Sequence, residues 1–168
     1  MTRLWGALAL LGWAVLYACP ASAANTTATG TAEIVTPLSL VNRTSLNFGA
    51  VIAGASSGTV TIDPFTEARA TTGGVTAYGG TVSAAKFDGN TTAQSHLKID
   101  IPNGSITITR VGGGATMTVS NFTLNGNKND WINATSLFTI QVGGTLNVGA
   151  NQMAGTYTGT FTVTVNYR

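Results

Sequence analysis

Cysteine, histidine, proline and charge are all scarce in this sequence, and each shortage removes a class of chemistry. One cysteine, one histidine and four prolines occur in 168 residues, and 8% of residues are charged. The cysteine, Cys19, lies in an apolar N-terminal run, so the rest of the chain has no thiol. Disulfides, thiolate nucleophiles and cysteine-ligated zinc are thereby excluded from the body of the protein. A Ser-His-Asp arrangement would have to use His96, with Asp88 or Asp100 as its orienter. No nucleophile elbow is expected to present a serine to it. His96 reads instead as an exposed residue at the entry to a strand around Ile99.

Long hydrophobic runs are also few. One runs from Leu4 to Ala18, after the single charge of Met1-Thr2-Arg3 and before Pro20-Ala21-Ser22-Ala23. A short basic start, an apolar run and a small-x-small site form the layout of a secretory signal peptide cleaved after Ala23. The run falls short of the roughly 20 residues that span a bilayer. Residues 1–23 are therefore expected to be removed on export across the inner membrane. The mature chain, residues 24–168, then works in the periplasm, at the cell surface or outside, with no transmembrane segment. Leu16-Tyr17-Ala18-Cys19 resembles a bacterial lipoprotein box, which would make Cys19 a lipid-bearing first residue; the site at Ala23 competes with it.

No charge cluster exists. Arg43, Arg69, Lys86, Lys98, Arg110, Lys128 and Arg168 are scattered, where a nucleic-acid binder would show a basic stripe. The carboxylates Glu33, Asp63, Glu67, Asp88, Asp100 and Asp130 have no spacing that selects a catalytic pair. Asn125-Gly126-Asn127-Lys128-Asn129-Asp130 is rich in oxygen ligands, but calcium loops rely on several carboxylates and this one has a single Asp beside a lysine. Gly112-Gly113-Gly114 is not followed by Lys-Ser/Thr, so it is no phosphate loop. The expectation is a non-enzymatic protein with no cofactor and no metal.

What the chain does contain is threonine, glycine, asparagine and a period of two. From residue 156 to 168, Tyr157, Phe161, Val163, Val165 and Tyr167 share one parity, and threonines fill most of the other. Such alternation denotes a strand with one face in a core. Shorter runs repeat it: Leu46 and Phe48; Val60 and Ile62; Ile99 and Ile101; Ile106 and Ile108; Ala115, Met117 and Val119. The parity then shifts to Phe122 and Leu124, which predicts a β-bulge near Ser120-Asn121. Phe138, Ile140 and Val142 meet Leu146 and Val148 across Gly143-Gly144, read as a hairpin turn. Further turns are expected at Gly73-Gly74, Gly79-Gly80, Asp88-Gly89-Asn90, Pro102-Asn103-Gly104, Gly112–Gly114 and Asn125-Gly126-Asn127. Many short strands between such turns predict an all-β, antiparallel sandwich as one domain.

The two ends of the mature chain stand out. The last alternating run has no strand after it, and an uncovered edge is an aggregation hazard. At the other end Ala28, Gly30, Ala32 and Ile34 alternate with Thr27, Thr29, Thr31 and Glu33, as a spare strand would. Residues 24–34 are thus an N-terminal extension or donor strand, and residues 35–168 the sandwich domain. One chain's spare strand laid along the next chain's edge would satisfy both.

Leu46-Asn47-Phe48-Gly49 and the run from Ala154 to Tyr167 resemble two stretches of a secreted bacterial family, domain of unknown function 4402. Ile34-Val35-Thr36-Pro37-Leu38 and Val142-Gly143-Gly144-Thr145-Leu146 fit the same pattern. The first two elements are also similar to the spore-coat-U type of chaperone–usher pilin. That resemblance implies an incomplete immunoglobulin-like sandwich completed by a neighbour's N-terminal strand. It assigns Ala28, Gly30, Ala32 and Ile34 to the donor, and Tyr157, Phe161, Val163, Val165 and Tyr167 to the acceptor edge. Partners would be other copies, related subunits or a periplasmic chaperone. The alternative is a self-complete monomeric surface or adhesion module, lipidated or free.

Overall fold

The computed structural model describes residues 28–32, 34, 37–91, 95–126, 131–132 and 137–167. Cys19, the cleavage site expected at Ala23 and most of the asparagine-rich 125–130 loop lie outside these. The chain divides into Met1–Glu33 and Ile34–Arg168, and the strands all belong to the second unit. In the first, Ala28, Gly30 and Ala32 are exposed and outside any strand.

Eleven strands form among the described residues. They are β1 (Ser39–Thr44), β2 (Ala50–Ile62), β3 (Arg69–Gly79), β4 (Ala85–Asn90), β5 (Ser95–Asp100), β6 (Ile106–Arg110), β7 (Thr116–Leu124), β8 (Trp131–Ile132), β9 (Leu137–Val148), β10 (Tyr157–Thr158) and β11 (Thr164–Tyr167). Every pairing is antiparallel. The larger sheet runs β1-β4-β9-β7-β6-β10, with β2 also on β9 and β3 on β2; the smaller runs β11-β5-β8. The fold is all-β and sandwich-like. Its core takes Val60, Ile62, Val119, Ile140, Val142, Leu146 and Val148 from the larger sheet and Leu97 and Ile99 from the smaller.

The hub is β9, and it corrects the hairpin expected at Gly143-Gly144. β9 runs straight through both glycines. Its first half pairs with β4 and its second with β2, on one edge, while β7 takes the other. Phe138, Ile140, Val142, Leu146 and Val148 are all buried and share one parity. A two-residue hairpin would have inverted that parity, so unbroken alternation favours a continuous strand. The glycines serve close approach: a Cβ on Gly143 would lie 2.2 Å from the carbonyl oxygen of Ile62.

Two more glycine sites expected as turns are strand interiors for similar reasons. Asp88-Gly89-Asn90 ends β4, and a Cβ on Gly89 would fall 2.1 Å from the ring of Phe138. Gly73-Gly74 lies within β3, where the register jumps opposite residues 54–57 of β2. Near the far ends of this ribbon, Arg69 Nη1 donates to the carbonyls of Phe48, Ala50 and Gly79 at 3.1, 3.2 and 3.1 Å. Ala50 pairs with Gly79, and Ile62 with Arg69. One guanidinium thus ties the start of β3 to its end, which requires the ribbon to fold back on itself. The turns at 102–104 and 112–114 occur as expected, as does the bulge: the β7–β9 register shifts between Ser120 and Thr123, and Asn121 has φ 48°.

The C-terminal run keeps its predicted face but is not one strand. Tyr157 and Thr158 pair with β6, then Thr164 to Tyr167 pair with β5. Residues 159–163 cross from the larger sheet to the smaller, as strands do at sandwich corners. Phe161, Val163 and Val165 still pack on the core.

Candidate functional site: an uncharged groove between two chain segments

The crossing leaves a gap. After two ladder pairs the chain leaves β6, and the opposite bank is the segment just after β1, residues 45–48, whose single β-bridge is Asn47–Ser83. Between these banks lies a groove of about 660 Å³. Its floor is the inner face of the larger sheet: Ile106 and Ile108 from β6, Met117 and Val119 from β7, Leu146 from β9. Leu46 and Phe48 form one wall, and Tyr157, Gly159 and Phe161 the other. A smaller hollow of about 260 Å³ shares Ser45, Leu46, Gly159 and Phe161, and reaches Phe87.

The walls are fixed in place. Phe161 meets Phe122 at 5.1 Å between ring centroids and Phe87 edge-on at 6.3 Å. Tyr157 Oη donates to the carbonyl of Met153 at 2.6 Å and lies 2.8 Å from Gln152 Nε2, which donates to it. On the other bank, Asn47 and Ser83 exchange both backbone bonds at 2.9 and 3.0 Å, and Ser83 Oγ donates to the carbonyl of Ser45. Gly159 sits tight on β6, where a Cβ would lie 2.7 Å from Ile108 Cγ2.

The chemistry of the lining is narrow. It offers aliphatic and aromatic surface with Thr, Ser, Asn and Tyr, and no carboxylate, amine, guanidinium or imidazole. Such a lining can bind an apolar stripe flanked by backbone. Charged pairs lie elsewhere. Arg43 Nη1 and Asp88 Oδ2 are 2.8 Å apart, and Thr139 Oγ1 donates to Asp88 Oδ1 at 2.9 Å. Arg43 first, then Thr139, holds the Asp88 carboxyl below the usual carboxylate range. Lys86 pairs with Glu67, and Lys98 with Asp100. Among the described residues no three His, Cys, Asp or Glu side chains gather into a metal-binding group.

The acceptor residues assigned from the sequence divide between two places. Tyr157 and Phe161 line the groove. Val163 packs on the core, while Val165 and Tyr167 pair with Ile99 and Leu97 of β5. The opposite wall and the floor were not singled out as a site. The run at Leu46 and Phe48, expected as a short strand, carries only the isolated bridge Asn47–Ser83 and stands as a groove wall instead. Of the donor residues, Ile34 is 96% exposed. His96 lies in β5, partly exposed. One serine pattern also needs correction: Gly54-Ala55-Ser56-Ser57-Gly58 does have elbow spacing. It lies inside β2 with strand on both sides, whereas an elbow needs a strand-to-helix turn.

A family model described as domain of unknown function (DUF4402) matches residues 38–167. No curated protein and no solved structure matches the chain.

Proposed function

The chain belongs to the DUF4402 family, and we propose that it is an exported, pilin-like structural or adhesive surface subunit that accepts a partner's extended segment in this groove. The observation that carries the reading is the open floor: one layer of a sandwich covered on both sides of a groove of about 660 Å³, but not across it. Ile106, Met117, Leu46 and Phe161 are left half-buried there. Strand addition suits such a site, because an extended segment brings alternate side chains to the floor and backbone groups to the banks. The uncharged lining supports a binding role over a catalytic one. Likeness of its Leu46–Gly49 and 154–167 elements to spore-coat-U pilins points the same way.

The test uses the exported chain and a short peptide alternating threonine with leucine. Binding is expected to raise the melting temperature, with amide shifts confined to residues 44–48, 106–108, 117–119 and 156–161. Ligand at a hundredfold excess over Kd adds about 2.7 kcal/mol of stability. No thermal shift, or amide shifts scattered over the surface, overturns the reading. That result would favour a self-complete surface module, to which the pairing of the C-terminal run at both β10 and β11 lends support.

A further inference from the structure

Asparagine followed by glycine is a chemically labile pair, and the chain has two: Asn103-Gly104 and Asn125-Gly126. With no Cβ on its second residue, such a pair reaches backbone conformations that other residues rarely adopt. The glycine nitrogen can then come within bonding reach of the asparagine Cγ. How each pair is held decides whether it does.

The fold holds the two pairs differently. Asn125 is pinned to β9 by two bonds: its N–H donates to the Gln141 carbonyl at 3.0 Å, and its Oδ1 accepts from the Gln141 N–H at 2.8 Å. That side chain must let go of β9 before it can turn back on its own backbone. Asn103 lies in the β5–β6 turn, where Asn103, Gly104 and Ser105 are all exposed. A Cβ on Gly104 would meet nothing within 4 Å. The flanks are anchored instead, with Ile101 buried and Ile106 packed against the core. The tip of the turn can therefore change shape while the strands on either side stay paired, as exposed loop tips do.

We propose that Asn103 is a site of covalent self-modification, at which the folded chain loses ammonia and gains a carboxylate. The Gly104 nitrogen bonds to Asn103 Cγ and the Cγ–Nδ2 bond breaks. Nδ2 leaves as ammonia, taking the proton of the Gly104 N–H. One water then opens the resulting succinimide ring at either of its carbonyls, which leaves aspartate or isoaspartate at position 103. The balance needs no oxidant, reductant or other co-reactant. Each event adds one negative charge to a sequence of formal net charge +2. Isoaspartate also adds one backbone carbon to the turn that leads into β6.

The test incubates the purified chain in oxygen-18 water and follows it by tryptic peptide mapping and mass spectrometry. Cleavage after Lys98 and Arg110 releases a peptide in which Asn103 is the only asparagine. Oxygen-18 in the product separates conversion in the folded chain from conversion during digestion. Asn103 is expected to convert about ten-fold faster than Asn125, the effect of about 1.4 kcal/mol on a barrier. Gly104→Ala, which meets no neighbour, should slow Asn103 by about ten-fold or more without moving the melting temperature. In urea the rates at Asn103 and Asn125 should converge, because the fold no longer holds Asn125. Equal rates in the folded chain overturn the proposal, as does conversion at Asn103 that Gly104→Ala leaves unchanged. A difference that persists in urea also overturns it, since the selectivity would then belong to local sequence and not to the fold.

Discussion

One row of side chains crosses the core from its closed end to its open end. Val60, Leu146, Val119 and Ile106 stand opposite one another on β2, β9, β7 and β6. The first three are 0%, 4% and 2% exposed, and Ile106 is only half-buried. Nothing in residue type separates the two ends, for all four are aliphatic. What differs is the covering layer. At the closed end Val142 and Ile62 are fully buried. At the open end the C-terminal run leaves β6 after two pairs, and segment 45–48 holds a single bridge. Exposure at the groove is thus a property of topology, not of composition.

The largest expected effect measures that contrast directly. Ile62→Ala should cost about 2–5 kcal/mol, since the fully buried site cannot collapse around the lost atoms. Met117→Ala on the groove floor should cost about 1 kcal/mol, the centre of the range for ordinary substitutions. Urea unfolding of both variants reads the difference. Equal losses would mean that the groove is filled in solution by some part of the chain, and the contrast would disappear.

A second pair of variants, with smaller effects, sharpens the contrast between glycines that pack and glycines that turn. Gly143→Ala sets a methyl against the Ile62 carbonyl, backbone that cannot step aside, and should cost about 1–3 kcal/mol. Gly104→Ala, in the β5–β6 turn, meets nothing within 4 Å and should stay within about 0.5 kcal/mol. If the two melt alike, close packing at the β4-to-β2 handover is not what glycine serves there.

That contrast also marks where sequence reading succeeded and failed. Alternation located β2, β5, β6, β7, β9 and the C-terminal run, because a half-buried strand imposes period two regardless of its neighbours; β1, β3, β4 and β8 were not among the runs it marked. It located the bulge at Asn121 as well, since an extra residue flips parity on one side. Glycine was the ambiguous signal. At 104 and 112–114 it marks chain reversal; at 89, 143 and 74 it marks a neighbouring ring or carbonyl pressed against the backbone, which depends on tertiary contacts. Parity across Gly143-Gly144 already held the answer. The groove was half legible: Tyr157 and Phe161 belong to it, but Val163, Val165 and Tyr167 belong to the crossing and to β11. Where an alternating run changes sheets is decided by the partners on each side, and no local pattern records them.

The smallest effect separates the two ends by pH. The groove holds no carboxylate, amine or imidazole, so peptide capture should be flat between about pH 5 and 8, where histidine is the ordinary titrating side chain. The closed end carries the acid-sensitive group. Asp63 ends the β2 ladder and its Oδ1 accepts from the backbone N–H of Thr66 at 2.8 Å, that of Phe65 at 2.9 Å, and Thr66 Oγ1 at 3.0 Å. Those bonds, the Thr66 amide foremost, hold its carboxyl below the ordinary range. A carboxyl depressed in the folded state binds its proton more readily when unfolded. Its stabilisation is therefore complete above the unfolded pKa of about 3.9 and fades as pH falls through the lower folded value. Asp63→Asn keeps an acceptor for the turn but removes the titration. Its melting temperature should lie slightly below that of the parent at neutral pH and fall less steeply in acid. Parallel acid limbs for the two proteins would move the acid sensitivity to Asp88, the other depressed carboxyl, and leave the β2–β3 turn indifferent to charge.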